Sequence, residues 1–202
     1  MWCNKETQEE AKKKYGHILD WDVSQITNMS ELFKNKFEFN NDISRWNVSN
    51  VTNMNKMFYK AYAFNQDINY WDVSNVITMK GMFYIAESFN KPLNNWDVSN
   101  ITSMTMMFYC AEIFDQPLND WNVSNVENMD YMFQYAVNFN QPIGNWNVSI
   151  VTDMSCMFNG AYKFNQPIGD WDVSNVQDTS SMFFKARSFN HPIGSWDVSS
   201  VE

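Results

Sequence analysis

The chain has 202 residues, of which 45% are hydrophobic and 17% aromatic, and its net charge is −9, with an isoelectric point near 4.6. That acidity argues against a nucleic-acid backbone as partner, and no apolar run reaches the roughly 18 residues of a helical membrane span. Cys3, Cys110 and Cys156 are odd in number and irregularly spaced, so no disulfide framework is implied.

At the start, Met1 to Glu10 is polar and lacks the apolar core of a secretory signal. Thr7-Gln8-Glu9-Glu10 matches a capping box, followed by Ala11, three lysines and Gly16. Residues 1–20 are therefore expected to form an N-terminal capping helix and a degenerate first coil, in which Ile18 feeds the chain into Trp21.

From there tryptophan recurs every 25 residues, at Trp21, Trp46, Trp71, Trp96, Trp121, Trp146, Trp171 and Trp196. Only Trp2 is off this grid. Such regularity means one structural unit copied along the chain: seven repeats over 21–195 and a partial eighth over 196–202. Counting each Trp as column one, column three is always Val and column four always Ser (Ser24, Ser49, Ser74, Ser99, Ser124, Ser149, Ser174 and Ser199). Columns thirteen and nineteen are always Phe, and Met dominates columns nine and twelve. Column sixteen is Ala in every repeat but the first. The two-residue step from Trp to Val suggests a strand with one buried face. Columns nine, twelve, thirteen and sixteen have the spacing of a short helix with a buried stripe, and the polar residues before them supply N-cap chemistry. Asn in column twenty, and Pro in column twenty-two of the later repeats, turn the chain back. The predicted fold is an α/β repeat solenoid with one short parallel strand and one short helix per coil, stacked into one core.

The run Ile143-x-x-Trp146-x-Val148 has the spacing of leucine-rich repeats, and Phe164–Val176 (FNQPIGDWDVSNV) resembles the 25-residue repeat of BspA-like bacterial surface proteins and mycoplasma-type lipoproteins. The resemblance covers about residues 16–202. It implies a leucine-rich-repeat-like right-handed superhelix, a place at the cell surface, and non-catalytic binding to a protein or host surface component. It brings no catalytic residues. A chain with no secretory signal also fits a structural scaffold, intracellular or in a virion, assembling end to end. The last strand, laid down just before Glu202, is expected to be an open edge, explained by truncation of a longer array or by a tolerated end in preference to a designed oligomer.

Candidate sites follow from the columns. Column two holds Asp or Asn beside the Ser ladder. Asp72 beside Asp97, and Asp172 beside Asp197, should repel, and a calcium ion would relieve that. No D-x-D-x-D-G loop is present, so the Trp and Ser columns read as a structural ladder and no metal is expected. Recognition belongs in columns that vary. Column fourteen holds Tyr59, Tyr84 and Tyr109 in successive repeats, with Phe184 later, and Tyr62, Tyr135 and Tyr162 lie nearby. Tyrosine offers a large contact area at low entropy cost, so Tyr59, Tyr84, Tyr109 and Phe184 are the candidate binding residues. His17 and His191 fall at opposite ends, and no nucleophile–base grouping or phosphate loop can be assembled. No enzyme activity and no cofactor are expected. The six N-x-[ST] triplets are a by-product of the repeat.

Overall fold

The computed structural model describes residue 3 and residues 5–202. Trp2 lies outside the described residues, as do Met1 and Asn4. One α-helix, α1 (Lys5–Tyr15), stands at the N-terminal end, and a 3-10 turn follows at Ile18–Asp20. The helix stops where Gly16 takes a φ of 76° and its N–H donates to the Lys12 carbonyl at 3.0 Å. Glycine adopts that left-handed conformation at little cost. Ala11 is the face α1 buries in the core.

The predicted α/β solenoid of leucine-rich-repeat type is not what the chain forms. Among the described residues no helix follows Asp20, and no strand extends beyond a single bridged residue. The bridges are parallel and run through Asn28, Asn53, Thr78, Ser103, Asn128, Asp153 and Asp178. They occupy column eight, whereas the strand had been expected at columns one to four.

The expected helix at columns nine to sixteen is a run of overlapping turns. In the second coil Met57 donates to the Met54 carbonyl, Tyr59 to Lys56 and Ala61 to Phe58, each three residues back. The intervening donors leave the coil: Lys56 N–H goes to Lys80 at 2.8 Å, Phe58 to Met82 at 2.9 Å and Lys60 to Tyr84 at 2.7 Å. A helix keeps every such bond within itself, four residues back. Here every second N–H ties one coil to the next. The alternation needs left-handed backbone in columns eleven and fifteen, and all fourteen of those positions have positive φ, twelve of them without glycine. Side chains in column eight start the run, as when Asn53 Oδ1 accepts the Asn55 N–H at 2.9 Å. Such local bonds compete with helix formation.

The apolar columns point inward and stack. Within a coil the two Phe rings lie face to face, as for Phe58 and Phe64 at 3.8 Å. Between coils the column-thirteen rings repeat, Phe108 to Phe133 being 5.6 Å. Trp46, Trp71, Trp96, Trp121, Trp146 and Trp171 are buried, and Trp21 and Trp196 are partly so at the two ends. Each indole from Trp46 on donates to the backbone carbonyl 28 residues earlier, for example Trp96 Nε1 to Ile68 at 2.9 Å and Trp121 Nε1 to Leu93 at 3.0 Å. Trp46 reaches Ile18 at 2.7 Å. The tryptophans thus fill the core and also fix the register between coils.

Candidate functional site

Column fourteen follows the inward Phe of column thirteen, and in coils two to four its residues Tyr59, Tyr84 and Tyr109 are half-buried at the surface of the turn face. Tyr59 and Tyr84 stack at 4.3 Å with their planes 3° apart, and Tyr84 and Tyr109 at 4.5 Å and 9°. The three form a continuous half-buried ridge. Burial, then the neighbouring phenols of Tyr59 and Tyr109, pushes the Tyr84 phenol well above its ordinary range. Burial and the adjacent Cys110 raise Tyr109. Tyr84 and Tyr109 are therefore neutral hydrogen-bonding groups at physiological pH.

Phe184 is not part of this ridge. Gln134 and Asn159 occupy column fourteen in the two intervening coils and are buried. Phe184, 56% exposed, lies in the seventh coil with the Lys185 ammonium 5.1 Å from its ring. The ridge closes at Tyr109, which Tyr135 meets edge-on at 6.4 Å. Tyr135 in turn covers Gly160, where an added Cβ would fall 2.4 Å from its ring. Tyr62 stacks on Phe37 at 4.9 Å, and the Arg187 guanidinium lies 4.6 Å from the Tyr162 ring.

The Ser column is bonded within each coil. Asp72 Oδ1 accepts from Ser74 N–H at 3.1 Å and Oγ–H at 2.6 Å, and Asn147 serves Ser149 in the same way. The paired serine bonds hold Asp22, Asp97, Asp172 and Asp197 below the usual carboxylate range. On this face, column five makes a link between coils. Asn75 Nδ2 donates to the Ser49 carbonyl at 2.8 Å and Asn100 Nδ2 to Ser74 at 2.7 Å. A further ladder runs along column twenty: Asn40 Oδ1 accepts the Asn65 N–H at 2.8 Å, and Asn65 Oδ1 the Asn90 N–H at 3.0 Å. His191 joins it at 3.1 Å from the Asn165 carbonyl, while His17 Nδ1 accepts the Leu19 N–H at 3.2 Å. Among the described residues, no three His, Cys, Asp or Glu side chains are grouped to hold a metal ion.

Two features beside the ridge escaped sequence reasoning. The ammonium groups of Lys34 and Lys60 sit 5.8 and 5.6 Å from the Tyr59 ring centre. A shallow groove of about 520 Å³, which Lys80 shares with the ridge side, is lined further by Asn55, Thr78, Ser103, Glu127 and Asn128. The signal for the lysines was their clustering at columns ten, eleven, fourteen and fifteen of the first three coils, against Lys185 alone at those columns afterwards.

A family described as "Mycoplasma protein of unknown function, DUF285" matches residues 4–120 and, again, residues 110–202. No curated protein matches the chain.

Proposed function

The chain belongs to this DUF285 family of mycoplasma repeat proteins of unknown function, and from that membership we propose that it is a non-catalytic binding module, an adhesion unit of the BspA-like surface-protein kind. The observation that carries the reading is the Tyr59–Tyr84–Tyr109 ridge, whose rings are 4.3 and 4.5 Å apart on a frame repeated coil after coil. Side chains held this way lose little entropy on binding, because their neighbours already restrict them. The partner is a protein or another host surface component. The test replaces all three tyrosines by serine and compares saturable capture of host-cell surface proteins by the two chains. Loss of capture with an unchanged thermal midpoint supports the reading. Equal capture at equal stability overturns it.

A further inference from the structure

We propose that the ridge recognises an acidic polypeptide segment, its carboxylates meeting the lysines that flank Tyr59 and Tyr84. This rests on the reading of the ridge as the binding surface and adds the chemistry of the partner.

The ring geometry limits what the ridge can bind. Nucleobases and sugars are gripped by lying flat on an aromatic face. Here the faces of Tyr84 are covered by Tyr59 and Tyr109, stacked within 4.5 Å on either side. The outer face of Tyr59 lies under Lys34 and Lys60, and Tyr135 closes the Tyr109 end. What remains to a partner is a row of ring edges and phenols.

Charge gives that row its sign. The four turn segments at 30–36, 55–61, 80–86 and 105–111 carry five Lys and one Glu, within a chain of net charge −9. Glu31 is already paired with Lys34 at 2.7 Å. Among the described residues Lys56, Lys60 and Lys80 make no ion pair, and Lys56 and Lys80 are exposed. Lys56 and Lys60 lie beside the ridge, the Lys60 ammonium 5.6 Å from the Tyr59 ring centre, and Lys80 lines the groove. A Cβ placed on Gly81 would lie 3.5 Å from Lys56 Cγ, 3.7 Å from Tyr84 Cβ and 3.9 Å from the Tyr59 ring, and Gly81 directly follows Lys80. Phenol and ammonium groups together form a set of donors suited to anionic oxygens.

A polypeptide fits better than an extended polyanion. Residues 101–202 hold eleven acidic residues against three basic ones. A nucleic acid, a sulfated glycan or an anionic membrane would bring negative charge within a Debye length, about 8 Å at physiological salt, of that acidic half. A short segment can place its few carboxylates on the lysine patch and keep them from the acidic half. The end of the groove beside Lys80 adds the amide of Asn55 and the hydroxyl of Thr78, which can bond a peptide backbone, while Glu127 lines the groove further along and sets the limit for an acidic segment.

The test titrates fluorescent hexaglutamate and hexaglutamine into the full chain and into the K56Q/K60Q/K80Q variant. Hexaglutamate is expected to bind the native chain about tenfold more tightly than hexaglutamine, and to lose about tenfold both in the variant and on raising salt from about 50 to about 500 mM. Equal binding of the two peptides, or salt independence, overturns the proposal, and both are read on the native chain even if the variant fails to fold. Tighter binding of a sulfated oligosaccharide, or of phosphatidylserine vesicles, also overturns it. Surface capture that depends on the tyrosines, without hexaglutamate binding, removes the acidic partner and leaves the ridge reading standing.

Discussion

At columns eleven and fifteen, twelve residues with side chains hold positive φ. That conformation costs an L-residue about 1–2 kcal/mol, whereas glycine adopts it freely but loses about 0.5–1 kcal/mol in chain entropy on folding. The difference predicts that Lys56→Gly, at an exposed position with φ 55°, raises the urea unfolding free energy by up to about 1 kcal/mol. Gly81 and Gly160 are the natural cases, and they differ. A Cβ on Gly81 meets nothing closer than 3.5 Å, whereas on Gly160 it strikes Tyr135 at 2.4 Å. Gly81→Ala should therefore cost about 1 kcal/mol, and Gly160→Ala about 1–3 kcal/mol more through overpacking. Equal costs in urea titrations would show that Tyr135 yields freely.

Asp130 makes a residue-scale prediction of opposite kind. Its Oδ1 is buried without a hydrogen-bond partner, and burial, with the nearby Asp153 charge, raises its carboxyl above the usual range. A carboxyl whose folded pKa is raised gives up protons more readily in the unfolded chain. Its contribution is therefore intact below the ordinary carboxylate range and is lost as pH rises through the raised value. Asp130→Asn should raise the urea midpoint at about pH 7 and bring no gain at about pH 3. Asp22, Asp97, Asp172 and Asp197, held low by their serines, run the other way. Their contribution is present above the unfolded carboxylate range and fades as pH falls through their depressed values.

At the scale of one coil, the indole does two things, and the sequence suggests only one. The constant Trp column announces a large buried side chain. It does not show that Nε1 of Trp121 donates across coils to Leu93 at 3.0 Å. Trp121→Phe keeps an aromatic in the core but leaves that carbonyl unpaired, and should cost at least about 1–3 kcal/mol. Trp196→Phe, at a half-exposed end, should cost less in the same calorimetric comparison. The apolar columns were legible because burial selects residue type. The helix was misread because spacings of three, four and seven also arise from tandem turns that close three residues back. Glycine would have signalled the left-handed positions, yet it appears at two of fourteen. Constant Asn or Asp in column twenty marked a turn in the sequence, and only the fold shows the ladder from Asn40 to Asn65 to Asn90. Of the site, the shared Tyr column was legible. Phe184 was grouped with it by column alone, although buried Gln134 and Asn159 separate them.

For the whole molecule, each coil contacts its neighbours through the same backbone bonds, Phe stacks and indole ties. Stability is then close to a sum of coil and nearest-neighbour contributions, and the recognition surface lies on a few coils of the stack. Residues 121–145 form one full period that contains none of Tyr59, Tyr84 or Tyr109. Removing them joins Asp120 to Trp146 in register. The most direct test is urea unfolding of that deletion followed by circular dichroism. Cooperative unfolding, with a denaturant slope lowered roughly in proportion to the residues removed, is the predicted result. A chain that no longer folds, or an unchanged slope, would contradict a stack held together coil by coil.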